Sequence, residues 1–91
     1  MRVVVQLSAA AAEDFHQGKA TAPDARAVRQ LTRKLGVELT PMHPGVDHPL
    51  LRSFFLADVP DSAAAGALRA LQACTGVEAA YPQPSAEPPA G

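Results

Sequence analysis

The side chains able to do chemistry are few and widely spread. His43 and His48 lie five residues apart in a proline-rich stretch, with Asp47 between them, while His16 and the single cysteine, Cys74, are distant in sequence. A structural zinc ion takes four nitrogen or sulfur ligands at tight spacing, which two neighbouring histidines and one remote thiol do not supply. Cys74 falls on an apolar helical stripe, where a buried thiol acts as a small hydrophobe. Asp47, His48 and Ser53 are the residue types of a nucleophilic triad. No sharp glycine-flanked turn presents the serine, however, and no loop supplies oxyanion donors. Gly45 stands alone, so no glycine-rich phosphate loop exists. The expectation is a protein without catalytic residues, metal or cofactor, in which a surface carries the function.

Composition supports a folded interaction module. The chain has 91 residues, of which 47% are hydrophobic and 19% charged, too apolar for a disordered segment. A chain of this length buries roughly 60–65% of its unfolded surface, so it has one modest core. A single cysteine excludes an internal disulfide framework. The net charge of −1 provides no field to draw the chain to nucleic acid or an anionic membrane. Aromatic residues at 4%, with no tryptophan, are poor material for stacking bases. No apolar run approaches the roughly 20 residues of a membrane helix.

The N-terminus supports two readings. Met1–Asp14, with one arginine and the run Ala9–Ala12, resembles a weak signal peptide. The favoured alternative is a strand, because Val3, Val4 and Val5 are β-branched and Gln6 interrupts the apolar stretch. A strand here suits a cytoplasmic protein, whereas a chain cut from an exported precursor would be secreted.

The elements that position the surface follow from local signals. Arg2–Leu7 reads as a strand. Ser8–Gln17 fits either a short helix capped by Ser8 and ended near Gly18, or an exposed linker. Thr21-Ala22-Pro23-Asp24 starts a helix, with proline in the first turn and an acid at the positive end of the dipole. Val28, Leu31 and Leu35 then share one face, Arg26, Arg29 and Arg33 form a solvated face, and Gly36 ends the helix. Val37–Thr40 is a second strand, Pro41–Pro49 a loop and Arg52–Val59 a third strand. Asp61 or Ser62 caps a helix whose stripe is Ala64, Ala67, Leu68, Leu71 and Cys74. Gly76 ends it, Val77–Tyr81 is the fourth strand, and Pro82 stops that strand.

The order β-α-β-β-α-β predicts an α+β, ferredoxin-like domain: a four-stranded antiparallel sheet with two helices on one face. The domain spans residues 1–82, and 83–91 form a proline-rich, flexible tail. The other sheet face should turn polar in a self-sufficient protein. Here Phe55, Ala57 and Val59 take the helix side, which leaves Phe54, Leu56 and Val4 on the open side, with Met42 able to join them. An apolar cluster with a polar rim suggests a partner.

The run Ser53-Phe54-Phe55-Leu56-Ala57-Asp58-Val59-Pro60-Asp61, the alanine-leucine helix, and Leu71-Gln72-Ala73-Cys74-Thr75-Gly76-Val77-Glu78-Ala79-Ala80-Tyr81-Pro82-Gln83-Pro84 together resemble the prodomain of subtilisin-like serine proteases. The same module occurs as stand-alone protease inhibitors. Leu35–Pro41 fits the family's helix-to-strand junction more loosely, so the resemblance covers about the last two-thirds of the chain. It implies a module that docks its open sheet face, here Val4, Phe54 and Leu56, on surface helices of the protease. It also implies a C-terminal segment, here Tyr81, Pro82, Gln83, Pro84 and Ser85, running extended into the substrate cleft. Such a module templates folding of its protease and blocks it until removed, and Asp47, Asp58 and Glu78 are candidates to cap partner helices. The chain departs from the pattern where Ala80, Tyr81 and Pro82 replace the usual acidic end of the last strand. The competing expectation is a ferredoxin-like domain that forms a homodimer through its sheet and serves as a ligand-sensing or regulatory module.

Overall fold

The computed structural model describes residues 1–43 and 45–83. β1 (Arg2–Leu7), α1 (Ala9–His16), α2 (Pro23–Leu35), β2 (Leu39–Pro41), α3 (Pro49–Arg52), β3 (Phe54–Asp58), α4 (Ala64–Gln72) and β4 (Val77–Pro82) follow one another, with a 3₁₀ turn at Asp61–Ala63. The strands form one antiparallel sheet in the order β2-β3-β1-β4. Between β1 and β2 the chain passes α1 and α2 and skips over β3; between β3 and β4 it passes α4 and skips over β1. The architecture is therefore α+β, with the helical connections packed on one side of the sheet.

Alternation along the strands builds the core. Val3, Val5 and Leu7 of β1, Phe55 and Ala57 of β3 and Ala80 of β4 point to the helices and are buried. Ala11 and Ala12 of α1, Ala25 and Val28 of α2, and Ala67 and Leu71 of α4 meet them. Burial of a full Val, Leu or Phe side chain contributes about 1.5–3 kcal/mol, so these few large residues dominate a small core. Alanines on α1 and α4 let the helices approach the sheet closely.

The helical layer is larger than the two helices expected. Residues 9–16 form a helix because Ser8 caps it: its Oγ accepts from Ala11 N–H (3.3 Å) and donates to Asp24 Oδ2 (2.8 Å). Asp14 then organises the next turn, its Oδ2 accepting from Thr21 N–H, Thr21 Oγ–H and Ala22 N–H at 2.7–2.9 Å. Those bonds satisfy donors at the start of α2, whose own cap position, Ala22, has no side chain to do so. They also hold the Asp14 carboxyl below its ordinary range, the Ala22 N–H being the largest cause. At the far end of α2, Gly36 takes the left-handed conformation (φ 70°) expected of a helix stop.

Four boundaries differ from the expected ones. The second strand is Leu39–Pro41, because Val37 N–H bonds back to Thr32 O and Val37 packs on the core before pairing begins. The third strand starts at Phe54, because Pro49–Arg52 form one helical turn. There His48 Nδ1 accepts from Leu50 N–H, and Pro49 suits the first turn. The helix expected at Asp61 begins as a 3₁₀ turn and becomes α-helical at Ala64, with no side-chain cap. β4 includes Pro82, since Gln83 N–H still bonds to Arg2 O.

Gly76 joins the two halves. It has φ +94°, and its carbonyl accepts from Ser8 N–H at 2.8 Å. A Cβ placed there would lie 2.7 Å from the Asp24 carbonyl oxygen. Only glycine allows the turn before β4 to approach α2 so closely.

Candidate functional site

The sheet face turned away from the helices carries Arg2, Val4 and Gln6 of β1, Phe54, Leu56 and Asp58 of β3, Thr40 of β2, and Ala79 and Tyr81 of β4. Register places them in rows: Tyr81, Val4, Leu56 and Thr40 lie side by side, as do Ala79, Gln6 and Phe54, with Arg2 opposite Asp58. Val4 is 2% exposed although no helix covers it. It occupies an inner strand, with Leu56 and Tyr81 as its cross-strand neighbours on this face. Leu56 and Phe54 are half-buried, and Tyr81 is 42% exposed. The expected open-face residues Val4, Phe54 and Leu56 are thus brought together. Met42 N–H extends the ladder by bonding to Phe54 O, which keeps the half-buried Met42 beside this cluster.

Charged and polar groups border the apolar row. Arg2 and Asp58 close one end, and Thr40 and Glu38 flank a surface groove of about 470 Å³ beside Leu56. Of the three acids considered as helix caps, Asp58 belongs to this face. Glu78 sits at the irregularity where β4 shifts register against β1, and Asp47 lies in the loop before α3; both are exposed.

Both sheet edges resist strand addition. Antiparallel residues alternate between bonding the neighbour and facing outward. Gln83 N–H bonds inward to Arg2 O, so Pro82 stands at an outward position where a free strand would show an N–H. The adjacent outward acceptor, Ala80 O, is occupied by Gln72 Nε2 at 2.9 Å. On the opposite edge, Met42 N–H bonds inward to Phe54 O, which turns Pro41 outward in the same way. Proline at an edge is a recognised guard against pairing between sheets. Sequence reasoning placed Pro41 in a loop and Pro82 beyond the strand and so missed both; partial alternation through each proline was the signal.

The C-terminal group divides. Tyr81 and Pro82, expected where strand gives way to tail, are strand residues, and Gln83 is still tied to Arg2. In this structure they are therefore held against β1 rather than presented as a free extended segment. Pro84 and Ser85 lie outside the described residues.

The chemistry-capable residues are engaged elsewhere. His16 Nε2 donates to Arg52 O at 2.7 Å, and its ring lies 5.1 Å from that of Phe55. Ser53 Oγ donates to Leu50 O at 2.6 Å and His48 caps α3, so neither is aimed at the other. Among the described residues no three His, Cys, Asp or Glu side chains gather as metal ligands. Cys74 is partly buried, and desolvation, then the charge of Asp24, raises its thiol above the ordinary value. The arginine face of α2 is not uniformly solvated: the Arg29 guanidinium stacks 5.2 Å above the Phe15 ring, and its Nε is buried without a hydrogen-bond partner. No helix among the described residues is long and apolar enough to cross a membrane.

Comparison with protein-family models, curated proteins and solved structures gives no match to this chain.

Proposed function

We propose that the chain is a prodomain-like module of ferredoxin-like β-α-β-β-α-β fold that binds a subtilisin-like serine protease, inhibits it and assists its folding. The observation that carries this reading is the apolar row Tyr81-Val4-Leu56 on a sheet face that no helix covers. The skipping connections over β3 and β1 support the fold assignment, and the residues from Ser53 to Pro84 support the family. The blunted edges favour face-on docking over strand addition at β2 or β4.

In this reading the face works by hydrophobic burial. Covering Phe54 and Leu56 supplies at most about 1.5–3 kcal/mol each, less because both are already half-buried. The charged end, Arg2 and Asp58, sets orientation more than affinity. The tail of this reading, which includes Pro84 and Ser85, follows a strand whose last backbone bond runs from Gln83 N–H to Arg2 O. Binding to the folded protease face but not to the unfolded chain stabilises the protease and thereby assists its folding.

The test is inhibition of a panel of subtilisin-like proteases by the full chain, by Leu56→Asp and by a chain ending at Gln83. Inhibition by the full chain, weakened at least about tenfold by Leu56→Asp, is the expected outcome. Equal potency of the truncated chain removes the tail from the mechanism, and absence of inhibition across the panel overturns the reading.

A further inference from the structure

We infer that the open sheet face also closes on a second copy of this chain, forming a weak, reversible two-fold dimer when no other partner covers it. The inference goes beyond protease binding and does not depend on it. Its basis is the charge register of the face. Arg2 on β1 stands opposite Asp58 on β3; both side chains are exposed, and neither belongs to an ion pair among the described residues.

Face-to-face packing of two copies by a two-fold axis exchanges neighbouring columns when the axis lies in the interface, along the strands, between β1 and β3. Arg2 of each copy then lies over Asp58 of the other, giving two symmetric ion pairs. The same operation sets Val4 over Leu56 and Gln6 over Phe54, and it sets Tyr81 over Thr40 at the margins. Charge meets opposite charge at one end and apolar meets apolar at the centre, as an isologous interface requires. Packed sheets rotate by about 30° relative to each other, and the long Arg2 side chain accommodates that offset better than a short one. The alternative route to self-association, strand addition at an edge, is obstructed by Pro41 and Pro82 and by the bond from Gln72 to Ala80 O.

Area sets the strength. Four strands about 4.8 Å apart and five residues at about 3.3 Å each make a face of about 300 Å² in projection. Accessible area exceeds projection, yet the face stays below the roughly 800 Å² per partner of a standard stable interface. An interface of this size belongs with weak, transient associations.

Sedimentation equilibrium of the full chain tests this without any protease, so the outcome is independent of the docking reading. The expected result is a monomer–dimer equilibrium whose dissociation constant rises with salt. Arg2→Glu and Asp58→Arg each weaken association at least about tenfold, since two exposed pairs are lost and two repulsions created. The combined Arg2→Glu/Asp58→Arg chain recovers to within about threefold of the original. Circular dichroism confirms that each variant is folded. A chain that stays monomeric at all concentrations overturns the inference. So does a dimer indifferent to salt, and so does a folded double variant that fails to recover.

Discussion

Pro41 and Pro82 occupy matching positions on the two outermost strands, each turned so that its missing N–H faces away from the neighbouring strand. Each sheet edge thereby lacks one outward donor, while one face stays uncovered by helices. We expect Pro41→Ala with Pro82→Ala to restore outward donors and promote assemblies larger than a dimer. Light scattering against concentration measures this; a variant as dispersed as the original chain rules out the guarding role.

Phe55 and Leu56 are neighbours in sequence and point to opposite sides of the sheet, so their substitutions should separate stability from binding. Phe55→Ala empties the core and should cost about 3–5 kcal/mol. Leu56→Asp should cost about 1 kcal/mol or less while abolishing association through the face. Urea unfolding and inhibition assays on both variants check the split. Similar losses of stability from the two would mean that the face is itself part of the core.

Gly76→Ala should destabilise the fold by about 1–3 kcal/mol through backbone strain alone, with a further cost from the 2.7 Å approach to Asp24 O. Gly18→Ala shares the strained conformation (φ 69°) but meets nothing within 4 Å, so it should cost less. The larger φ of Gly76 and its close approach act together in the difference of denaturation midpoints, and equal midpoints would dismiss both.

Acid should loosen the junction of α1 and α2. Hydrogen bonds hold the Asp14 carboxyl below its ordinary value of 3.8, led by the bond from Ala22 N–H. Glu13 is likewise held below 4.5, first by Gln17 and then by Arg52. A carboxyl whose folded value is depressed adds stability that is complete above the unfolded value and lost as pH falls through the folded one. Stability should therefore decline as pH drops below about 4, and Asp14→Asn should flatten that decline. An unchanged acid limb in urea titrations of Asp14→Asn would exclude this role.

Cys74 should alkylate slowly. Burial and the Asp24 charge raise its thiol above 9.0, which reduces the reactive thiolate at neutral pH. Iodoacetamide should modify the folded chain more slowly than the urea-unfolded chain at the same pH. Equal rates would show the thiol to be unperturbed.

The amino-acid sequence by itself determined whatever depends on near neighbours. The start of α2 at Pro23 and its end at Gly36, and the assignment of Phe55 to the core with Phe54 and Leu56 outside, follow from propensity and period, whereas Ser8–Gln17 reads equally as a Ser8-capped helix or a linker, and the structure shows the helix. Short elements were less legible. His48 and Pro49 carry the signal for the single turn of α3, but prolines on either side of it read equally well as loop. Tertiary structure decided what joins residues distant in the chain: the row Tyr81-Val4-Leu56, the opposition of Arg2 and Asp58, and the edge positions of Pro41 and Pro82. Strand order and register depend on non-local pairing and on core fit, which no local window contains. For that reason the apolar face could be anticipated from alternation, while its self-matching charges and its proline-bearing edges could not.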